Sequence, residues 1–397
     1  MEKILRKLWR YLFWTINRGI VPIVVWKKHR KSLKVEGDKL PKAPFIMISN
    51  HANFLDPWIV CHYSNTPVAI MMNEEGFKSF WFQRWVLKNI GAFPKKKGIS
   101  DVGAMKKSIA EVRAGYPLMI FPEGQTSWDG ETQPIYSGVE KMAKKFNVPI
   151  VMCRIEGNFI AQPWWATFPR VGQIKVHRKV ISPEAIKEKT EDELRDEIIN
   201  YIKNNDIEKS KNLKFTGQNL TAGMQNLLWL CPNCNEIESL KFENNSVICE
   251  KCEKKYVFNP NLYIETSLED VKNLYEWVKK QKLFARNTVK AADEKDILCT
   301  SEKVHLVQND NTGRITTLDI GNMEISKKNL VFSGDAAKIV IAIDDIVAPV
   351  FQQKNIIQFE YSKGELKFMF LQNPMMKTLC FLRELTGWQK IEENGYL

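Results

Sequence analysis

Long apolar runs are absent from this sequence. None approaches the roughly 20 residues that a membrane-spanning helix requires, although 44% of the 397 residues are hydrophobic. Internal repeats and low-complexity tracts are also absent, so the composition is that of a globular protein, and the length favours two or three domains. Acidic residues are fewer than basic ones, 46 against 58, which gives a net charge of +12. That excess favours acidic partners, such as membrane phosphate groups, coenzyme A, an acidic carrier protein or nucleic acid.

The chain has eight cysteines, and half of them are paired in sequence. Two C-x2-C doublets, Cys231 with Cys234 and Cys249 with Cys252, are separated by fourteen residues. Four thiolates at this spacing are typical of a structural zinc ion with no open coordination position, so we expect a small zinc ribbon over residues 226–263. The other cysteines stand singly in apolar surroundings, which predicts buried free thiols and a reducing compartment. They are Cys61, Cys153, Cys299 and Cys380.

Residues 1–30 predict an amphipathic segment. Its apolar positions recur at helical spacing, with lysine and arginine on the other faces. They are Ile4, Leu5, Leu8, Trp9, Leu12, Phe13 and Ile16. Basic residues combined with Trp and Phe suit the interface of an anionic membrane. We therefore expect a peripheral or monotopic location on the cytoplasmic face of a membrane, with membrane phospholipids as partners. The alternative is a helix packed on its own domain.

Residues 31–215 alternate short apolar runs with amphipathic segments, which predicts an α/β domain with a mixed sheet flanked by helices. Strands are expected at residues 45–49, 68–72, 92–94, 117–121, 150–155 and 173–180, and helices at residues 57–63, 80–88, 102–113 and 138–146. Ser182 before Pro183 predicts the start of one charged helix that reaches about residue 204, followed by a linker over residues 205–218. Trp85 is expected in the core.

The C-terminal part changes character. A capping box at Ser267 to Asp270 predicts the start of a helix within a helical linker, residues 264–295. Residues 296–397 contain short apolar runs separated by turns, and then a final helix at about residues 375–385. This order predicts a β-rich domain, a small barrel or sandwich closed by a helix. It is similar in size and order to pleckstrin-homology or GRAM-like domains.

Two strand-to-loop junctions carry the candidate chemistry. In Asn50-His51-Ala52-Asn53-Phe54-Leu55-Asp56, a histidine follows an apolar strand and an aspartate stands five residues later. An aspartate at the start of the next helix can hold one ring nitrogen, which makes the imidazole a directed general base. The second junction is Phe121-Pro122-Glu123-Gly124, again at the end of an apolar run. Together they predict a catalytic site.

In order and spacing these blocks resemble the glycerolipid acyltransferase family, whose best-known members make phosphatidic acid from lysophosphatidic acid. Two further blocks, Gly91-Ala92-Phe93-Pro94-Lys95-Lys96-Lys97 and Asn147-Val148-Pro149-Ile150-Val151, strengthen the resemblance, which covers about residues 30–205. It implies an O-acyltransferase of phospholipid biosynthesis. The donor would be an acyl-CoA or acyl carrier protein thioester, the acceptor a lysophospholipid or related lipid, and no redox cofactor is expected.

The resemblance also implies roles for individual residues. His51 would take the proton of the lipid hydroxyl, and Asp56 would orient the imidazole. Backbone N–H groups around Gly124 would hold the oxyanion, and Glu123 would contact or order the acceptor. Phosphate binding would pass to Lys95, Lys96 and Lys97, since Lys97 stands where the family usually has arginine.

A second departure concerns the acceptor. Gln125-Thr126-Ser127 stands where the family usually reads Thr-Arg-Ser, so the bidentate arginine contact with phosphate is missing. A lysophospholipid with a bulkier head group, or an amino-acid lipid, becomes more plausible. Two other functions stay open. One is a catalytically inactive lipid-binding adaptor. The other is a zinc-ribbon nucleic-acid-binding protein, although the many glutamates around the doublets lead us to expect no nucleic-acid partner.

Overall fold

The protein is described by a computed structural model. The structure describes residues 2–21, 23, 32–77, 81–95, 101–268, 271–310, 313–352 and 355–388. Contacts within the chain divide it into two compact units. The first is built mainly from Met1–Ala161 and Val171–Phe215, and the second from Gln162–Arg170 and Thr216–Asn394.

The first unit contains a mixed eight-stranded sheet, which confirms the predicted α/β architecture. Its strands are β1 (Ser32–Gly37), β2 (Ile46–Ser49), β3 (Ala69–Asn73), β4 (Ala92–Lys95), β5 (Leu118–Ile120), β6 (Ile150–Glu156), β7 (Val171–Ile181) and β8 (Phe215–Thr216). The order is β1-β7-β6-β2-β5-β3-β4, with β8 beside β7. The pair β6 and β7 is antiparallel, whereas β2 runs parallel to both of its neighbours, β5 and β6.

Helices and one 3-10 turn surround this sheet. They are α1 (Glu2–Val21), α2 (Asp56–Cys61), a 3-10 turn (Glu74–Phe77), α3 (Trp81–Ile90), α4 (Val102–Arg113), α5 (Val139–Phe146), α6 (Asn158–Ala161), α7 (Pro183–Glu188), α8 (Glu191–Ile202) and α9 (Asp206–Lys209). Among the described residues, none of these helices combines the length and apolarity needed to cross a membrane.

The central strands are apolar because both of their faces are covered. Every residue of β2 and β5 is buried, which is why each reads as a continuous apolar run rather than an alternating one. Ile46 and Ile150 pack in one core with Ala143 of α5 and Ile198 of α8. The parallel strands β2, β5 and β6 end at the same edge of the sheet, so the loops that follow them lie together there.

The helix predicted from Ser182 to about residue 204 is in fact two helices. Lys189 is extended (φ −94°, ψ 150°), and it separates α7 from α8. Thr190 then caps α8 through a capping box with Glu193. The prediction was wrong because apolar periodicity continues across the break, while the cap that starts a new helix is local.

The linker predicted over residues 205–218 is also wrong in its first part. Asp206 is 2% exposed. Its carboxylate accepts hydrogen bonds from the backbone N–H groups of Gly157 (2.6 Å) and Phe159 (2.8 Å). A polar sequence predicts a solvated chain, but here the polar side chain satisfies backbone donors inside the fold.

Trp85 of α3 is not in the core. It is 42% exposed, and Trp81 and Phe82 on the same helix are 71% and 49% exposed. Trp85 does contact Phe13 of α1 edge-to-face, with ring centroids 5.1 Å apart. The helical spacing of these aromatics therefore marks an exposed face of α3 rather than a buried one.

The second unit is rich in strands, as predicted. Its elements are a 3-10 turn (Met224–Asn226), β9 (Leu240–Glu243), β10 (Ser246–Cys249), β11 (Lys255–Val257), β12 (Tyr263–Leu268), β13 (Val271–Asn273), α10 (Leu274–Ala291), β14 (Ile297–Asn309), β15 (Ile315–Ser326), β16 (Asn329–Gly334), β17 (Lys338–Ala342), a 3-10 turn (Ile343–Asp345), β18 (Val347–Gln352), β19 (Ile356–Tyr361), β20 (Gly364–Met369) and α11 (Met375–Leu385). Strands β14 to β20 form a seven-stranded antiparallel sheet. The β-rich region ending in a helix is confirmed, and its kinship with pleckstrin-homology or GRAM-like domains stays a prediction.

The capping box predicted at Ser267 to Asp270 does not start a helix. Ser267 belongs to β12, and Glu269 and Asp270 lie outside the described residues. Helix α10 begins later, and its N-cap is Asn273, whose side chain accepts a hydrogen bond from the Glu276 N–H (3.0 Å). Two cap-like sequences stand close together here, and only the second precedes the apolar face of the helix.

Candidate active site

His51 and Asp56 form the centre of the candidate site. His51 follows the end of β2, and its Nδ1 lies 2.7 Å from Oδ2 of Asp56. The imidazole is 18% exposed, whereas the carboxylate is fully buried. Since the carboxylate only accepts, Nδ1 carries the hydrogen, and Nε2 is the nitrogen that can take a proton from a substrate. The two residues predicted to be catalytic are therefore brought together in the arrangement that general-base chemistry needs.

The Asp56 carboxylate is fixed by several donors. Its Oδ2 also accepts hydrogen bonds from the backbone N–H groups of Ala52 (2.6 Å) and Asn53 (2.8 Å). Its Oδ1 accepts a hydrogen bond from the side-chain amide of Asn158. Asp56 is the first residue of α2 and is followed by Pro57, which suits the first turn of a helix.

Glu123 lies behind His51 and is bound by backbone groups. It is 1% exposed. Its Oε1 accepts a hydrogen bond from the His51 N–H (2.6 Å) and its Oε2 one from the Gln133 N–H (2.6 Å). Burial raises the pKa of this carboxyl well above its usual range, against the opposing effect of those two hydrogen bonds. In this position Glu123 can order the site through the backbone of His51.

The loop after β5 supports the other side of the imidazole. The ring of Phe121 stacks on His51, with centroids 4.0 Å apart and an interplanar angle of 20°. Gly124 has a positive φ (+66°), and a Cβ there would stand 3.1 Å from the Tyr136 ring. The Gly124 N–H donates to the Phe121 carbonyl (3.0 Å), so it is engaged within the turn. Other N–H groups of this loop are then the better candidates for an oxyanion.

Of the three lysines predicted to bind phosphate, the structure describes Lys95. It ends β4, and its ammonium lies 5.8 Å from the centroid of the Tyr136 ring. Burial lowers the pKa of Lys95 below its usual range. Lys96 and Lys97 lie outside the described residues.

A cavity of about 290 Å³ opens beside His51. Its wall is mostly carbon and includes a few polar residues, among them His51, Lys95 and Gln125. The apolar lining residues are Phe54, Pro57, Trp58, Ile70, Met71, Met72, Leu87, Ile90, Ala92 and Phe121. Small-molecule sites commonly have this composition, with apolar walls and a few convergent polar groups.

The four paired cysteines converge in the second unit. All four Sγ atoms lie within 4.8 Å of one another. Cys231 and Cys252, and likewise Cys234 and Cys249, have Sγ atoms 3.7 Å apart. Zn–S bonds of about 2.3 Å in a tetrahedron place sulfurs about 3.8 Å apart, so this cluster could hold one metal ion. The four single cysteines are buried, as predicted.

Asn158 is the site residue that sequence reasoning missed. It stands immediately after Gly157, at the end of β6, and its side chain reaches the Asp56 carboxylate. The sequence offered one signal for Asn158, its position just after the apolar strand β6. This strand runs parallel to β2 and ends at the same edge of the sheet. No spacing rule connects two residues that are about one hundred positions apart.

Comparisons with known proteins relate part of the chain to acyltransferases. Residues 32–156 match the family model described as Acyltransferase. The chain is 28% identical to the chloroplastic 1-acyl-sn-glycerol-3-phosphate acyltransferase BAT2 of Brassica napus, over 30% of this chain and 36% of that protein. It is 25% identical to the 1-acyl-sn-glycerol-3-phosphate acyltransferase of Limnanthes douglasii, over 46% of this chain and 63% of that protein. The chain thus spans less than two thirds of the length of these relatives.

Among solved structures, the crystal structure of the 1-acyl-sn-glycerophosphate (LPA) acyltransferase from Thermotoga maritima matches 51% of this chain and 95% of its own, with 20% identity and a TM-score of 0.39. The curated relatives described above are named as acyltransferases of one lipid class. Residues 32–156 are the part of this chain that is similar to the Acyltransferase family model.

Proposed function

We propose that this protein transfers a fatty acyl group from an acyl-CoA or acyl carrier protein thioester to the hydroxyl of a lysophospholipid or related lipid. One observation carries the proposal: His51, held by the buried Asp56, faces a carbon-lined cavity of about 290 Å³. An acyltransferase domain over the same residues supports it. The names of the relatives support a glycerolipid acceptor.

The proposed reaction uses no covalent intermediate on the protein. Nε2 of His51 takes the proton of the acceptor hydroxyl while its oxygen attacks the thioester carbonyl carbon. The negative charge that develops on the carbonyl oxygen is held by backbone N–H groups of the loop around Gly124, other than that of Gly124 itself. Collapse of the tetrahedral intermediate breaks the C–S bond, and the imidazolium gives its proton to the leaving thiolate. Asp56 stabilises the imidazolium throughout and stays a carboxylate. This chemistry needs no redox cofactor.

The apolar lining of the cavity suits the acyl chain, and its few polar residues suit the reacting groups. Apolar side chains such as Met71, Leu87 and Ile90 offer a dry surface for methylene groups, each of which gains about 0.8 kcal/mol on burial. Lys95 is the described cation in the cavity wall, and we propose that it pairs with a phosphate of the acceptor. A lysine contributes a point charge without the arginine fork, so an acceptor phosphate bearing a further head group is compatible with the site.

We further propose that α1 holds the protein at the cytoplasmic face of a membrane. Phe13 and Trp14 of this helix are buried, and Trp14 donates to the Ser64 carbonyl (3.0 Å). Arg10 forms an ion pair with Glu111 (2.6 Å). The other side of the helix exposes between 47% and 66% of each of six apolar residues, Ile4, Leu5, Leu8, Trp9, Leu12 and Ile16. A docked helix that turns its larger apolar face outward suits a peripheral or monotopic attachment.

The four-cysteine cluster is proposed to hold a structural zinc ion. Four thiolates leave no open position for a substrate or water, so the metal would stabilise the fold and take no part in acyl transfer. Ser239 Oγ lies 3.3 Å from Cys249 Sγ, close enough to donate to the thiolate. A second hydroxyl, that of Tyr256, lies 3.6 Å from Cys231 Sγ.

The function is tested by an acylation screen with His51→Ala. Purified protein is incubated with lysophospholipids of several head groups and with acyl-CoA or acyl carrier protein, and products are read by mass spectrometry. We expect a diacyl product that His51→Ala reduces about 10³-fold, because general-base catalysis contributes 10²–10⁴-fold. His305→Ala, at a half-buried histidine of β14 in the second unit, is the control and should retain activity.

Two outcomes would contradict the proposal. Equal product from His51→Ala and from the parent protein would remove His51 from the reaction. Vesicle binding without turnover on any acceptor would instead favour the lipid-binding adaptor.

A further inference from the structure

Asn158 makes two hydrogen bonds to the loop that carries the catalytic pair. Its side-chain amide donates to Oδ1 of Asp56, and its backbone carbonyl accepts from the Asn53 side chain (3.0 Å). The residue is fully buried. Asn158 is remote from residues 51–56 in sequence, and it contacts this segment through two independent hydrogen bonds. It lies beyond residues 32–156, which match the family model.

The backbone around Asn158 is itself held in place. Gly157 turns the chain with φ +84°, and a Cβ there would stand 2.5 Å from the Gln173 carbonyl oxygen, so the close approach requires glycine. The N–H groups on either side of Asn158, those of Gly157 and Phe159, both bond to the carboxylate of Asp206. Asn158 thus stands on a fixed peptide segment, and its amide is presented to Asp56 in one position.

We propose that Asn158 is a positioning residue, which holds the Asp56 carboxylate so that Oδ2 faces Nδ1 of His51. The proposal deepens the proposed acyl transfer and rests on it. Asn158 touches no reacting atom. It acts through Asp56, which acts through His51.

The distribution of donors around Asp56 gives the physical reason. Oδ2 receives three hydrogen bonds, from the His51 ring and from the backbone of Ala52 and Asn53. Oδ1 has one partner among the described residues, the amide of Asn158. Without that donor, the buried Oδ1 would lose the hydrogen bond that offsets its removal from water. Rotation of the carboxylate would then no longer be opposed. Small rotations matter, because a displacement of the base by about 1 Å can cost about 10²-fold in rate.

The first test compares Asn158→Leu with Gln281→Leu in the full chain. Gln281 is a matched control, since it is 1% exposed, lies in the second unit and donates to a backbone carbonyl, that of Leu227 (3.2 Å). With lysophosphatidic acid and palmitoyl-CoA as probes, we expect Asn158→Leu to lower kcat by about 10- to 100-fold with KM unchanged. Gln281→Leu should stay within about threefold of the parent in kcat. Equal losses in both variants, or none in either, would overturn the proposal.

The second test uses Asn158→Asp, which keeps the shape and so keeps the proposal testable if the leucine variant fails to fold. In its neutral form the new carboxyl group can donate to Oδ1 as the amide does. In its ionised form it places a second negative charge against Asp56. We expect kcat of this variant to fall as pH rises, relative to the parent, while circular dichroism shows constant folded content. A kcat ratio that is independent of pH would contradict the proposed contact.

The third test needs no turnover. The chain has five histidines, and the ring Nδ1–H of His51 can be assigned in ¹⁵N-histidine-labelled protein by its loss in His51→Ala. We expect a low-field proton signal in the parent and in Gln281→Leu, and its loss or upfield movement in Asn158→Leu. An unchanged signal in a folded Asn158→Leu would overturn the positioning role.

The outcomes separate the two proposals. If the parent acylates no lipid but Asn158→Leu loses the His51 signal, the proposed function fails and the positioning contact stands. If the parent is active and Asn158→Leu matches it in both kcat and signal, the function stands and the positioning role fails.

Discussion

His51 is held at its backbone as well as at its ring. Its N–H donates to Glu123 (2.6 Å), and its carbonyl accepts from the Ser127 N–H (2.7 Å). The ring is hydrogen-bonded to Asp56 and stacked on Phe121. A general base constrained in this way meets its substrate in one orientation, which lowers the reorganisation needed to reach the transition state. At this scale the proposed chemistry depends on a few short contacts.

Lys95 provides a prediction about the acceptor. Lys95→Met removes the charge that faces the cavity, and we expect it to raise KM for lysophosphatidic acid about tenfold while leaving KM for a monoacylglycerol unchanged. Lys95→Arg should keep KM for lysophosphatidic acid close to that of the parent, because the guanidinium also pairs with phosphate. Lys88→Met, on the exposed side of α3, is the control. Steady-state kinetics on both acceptors measure the difference, and an equal change on both would show that Lys95 serves packing rather than phosphate.

Local sequence patterns predicted those structural elements whose signals lie within a few neighbouring residues. The strand-to-loop junctions at residues 45–56 and 117–124 placed His51 and Glu123 on loops and Asp56 at the start of a helix, as the structure has them, because an apolar run followed by polar residues is a local pattern. Strand β1 went unpredicted, since Ser32–Gly37 is a short, mixed sequence at the sheet edge. Asn158 and Asp206 went unpredicted for another reason: their roles depend on partners that only the folded chain brings near.

Helix α1 carries the prediction for membrane attachment. Leu8 and Leu12 are 61% and 53% exposed. Leu8→Glu combined with Leu12→Glu should lower the affinity for phosphatidylglycerol-containing vesicles by at least tenfold, because charge replaces apolar surface at the interface. Co-sedimentation with the vesicles measures this affinity. The control is the same double exchange at Leu318 and Val340, which are 51% and 57% exposed in the second unit.

The result depends on which double variant loses binding. Circular dichroism should show both to be folded, since the substituted side chains are exposed. Normal vesicle binding by the α1 variant, or loss of binding by the Leu318 and Val340 variant instead, would exclude α1 as the attachment surface.

At the scale of the whole molecule, the cysteine cluster belongs to the second compact unit. The chain just before Cys231 is bound to α10: the Gln281 side chain accepts from the Trp229 N–H (2.7 Å), and the Trp277 indole donates to the Leu230 carbonyl (2.9 Å). On the other side, Lys377 of α11 pairs with Glu238 (2.8 Å). The cluster therefore stands between segments that contact both long helices of this unit.

We expect removal of the metal to destabilise the second unit and to leave the stability of the first unit unchanged. Purified protein should contain one zinc equivalent by elemental analysis, and Cys252→Ser should lose it, whereas Cys153→Ala should retain it. After chelation we expect faster amide hydrogen exchange in β9 to β11 and in α10, with unchanged exchange in β2, β5 and β6, because a structural metal contributes directly to the folding free energy. Faster exchange throughout both units, or in neither, would contradict this expectation.

Asp206 has a consequence for the choice of a minimal fragment. The family match ends at residue 156, yet the donor to Asp56 comes from residue 158, and the carboxylate that holds that turn comes from residue 206. A fragment cut at the end of the match would keep the entire recognisable motif set and lose the groups that orient it. Truncation and domain grafting should therefore retain the chain through α9, some fifty residues past the point where sequence similarity to the family model stops.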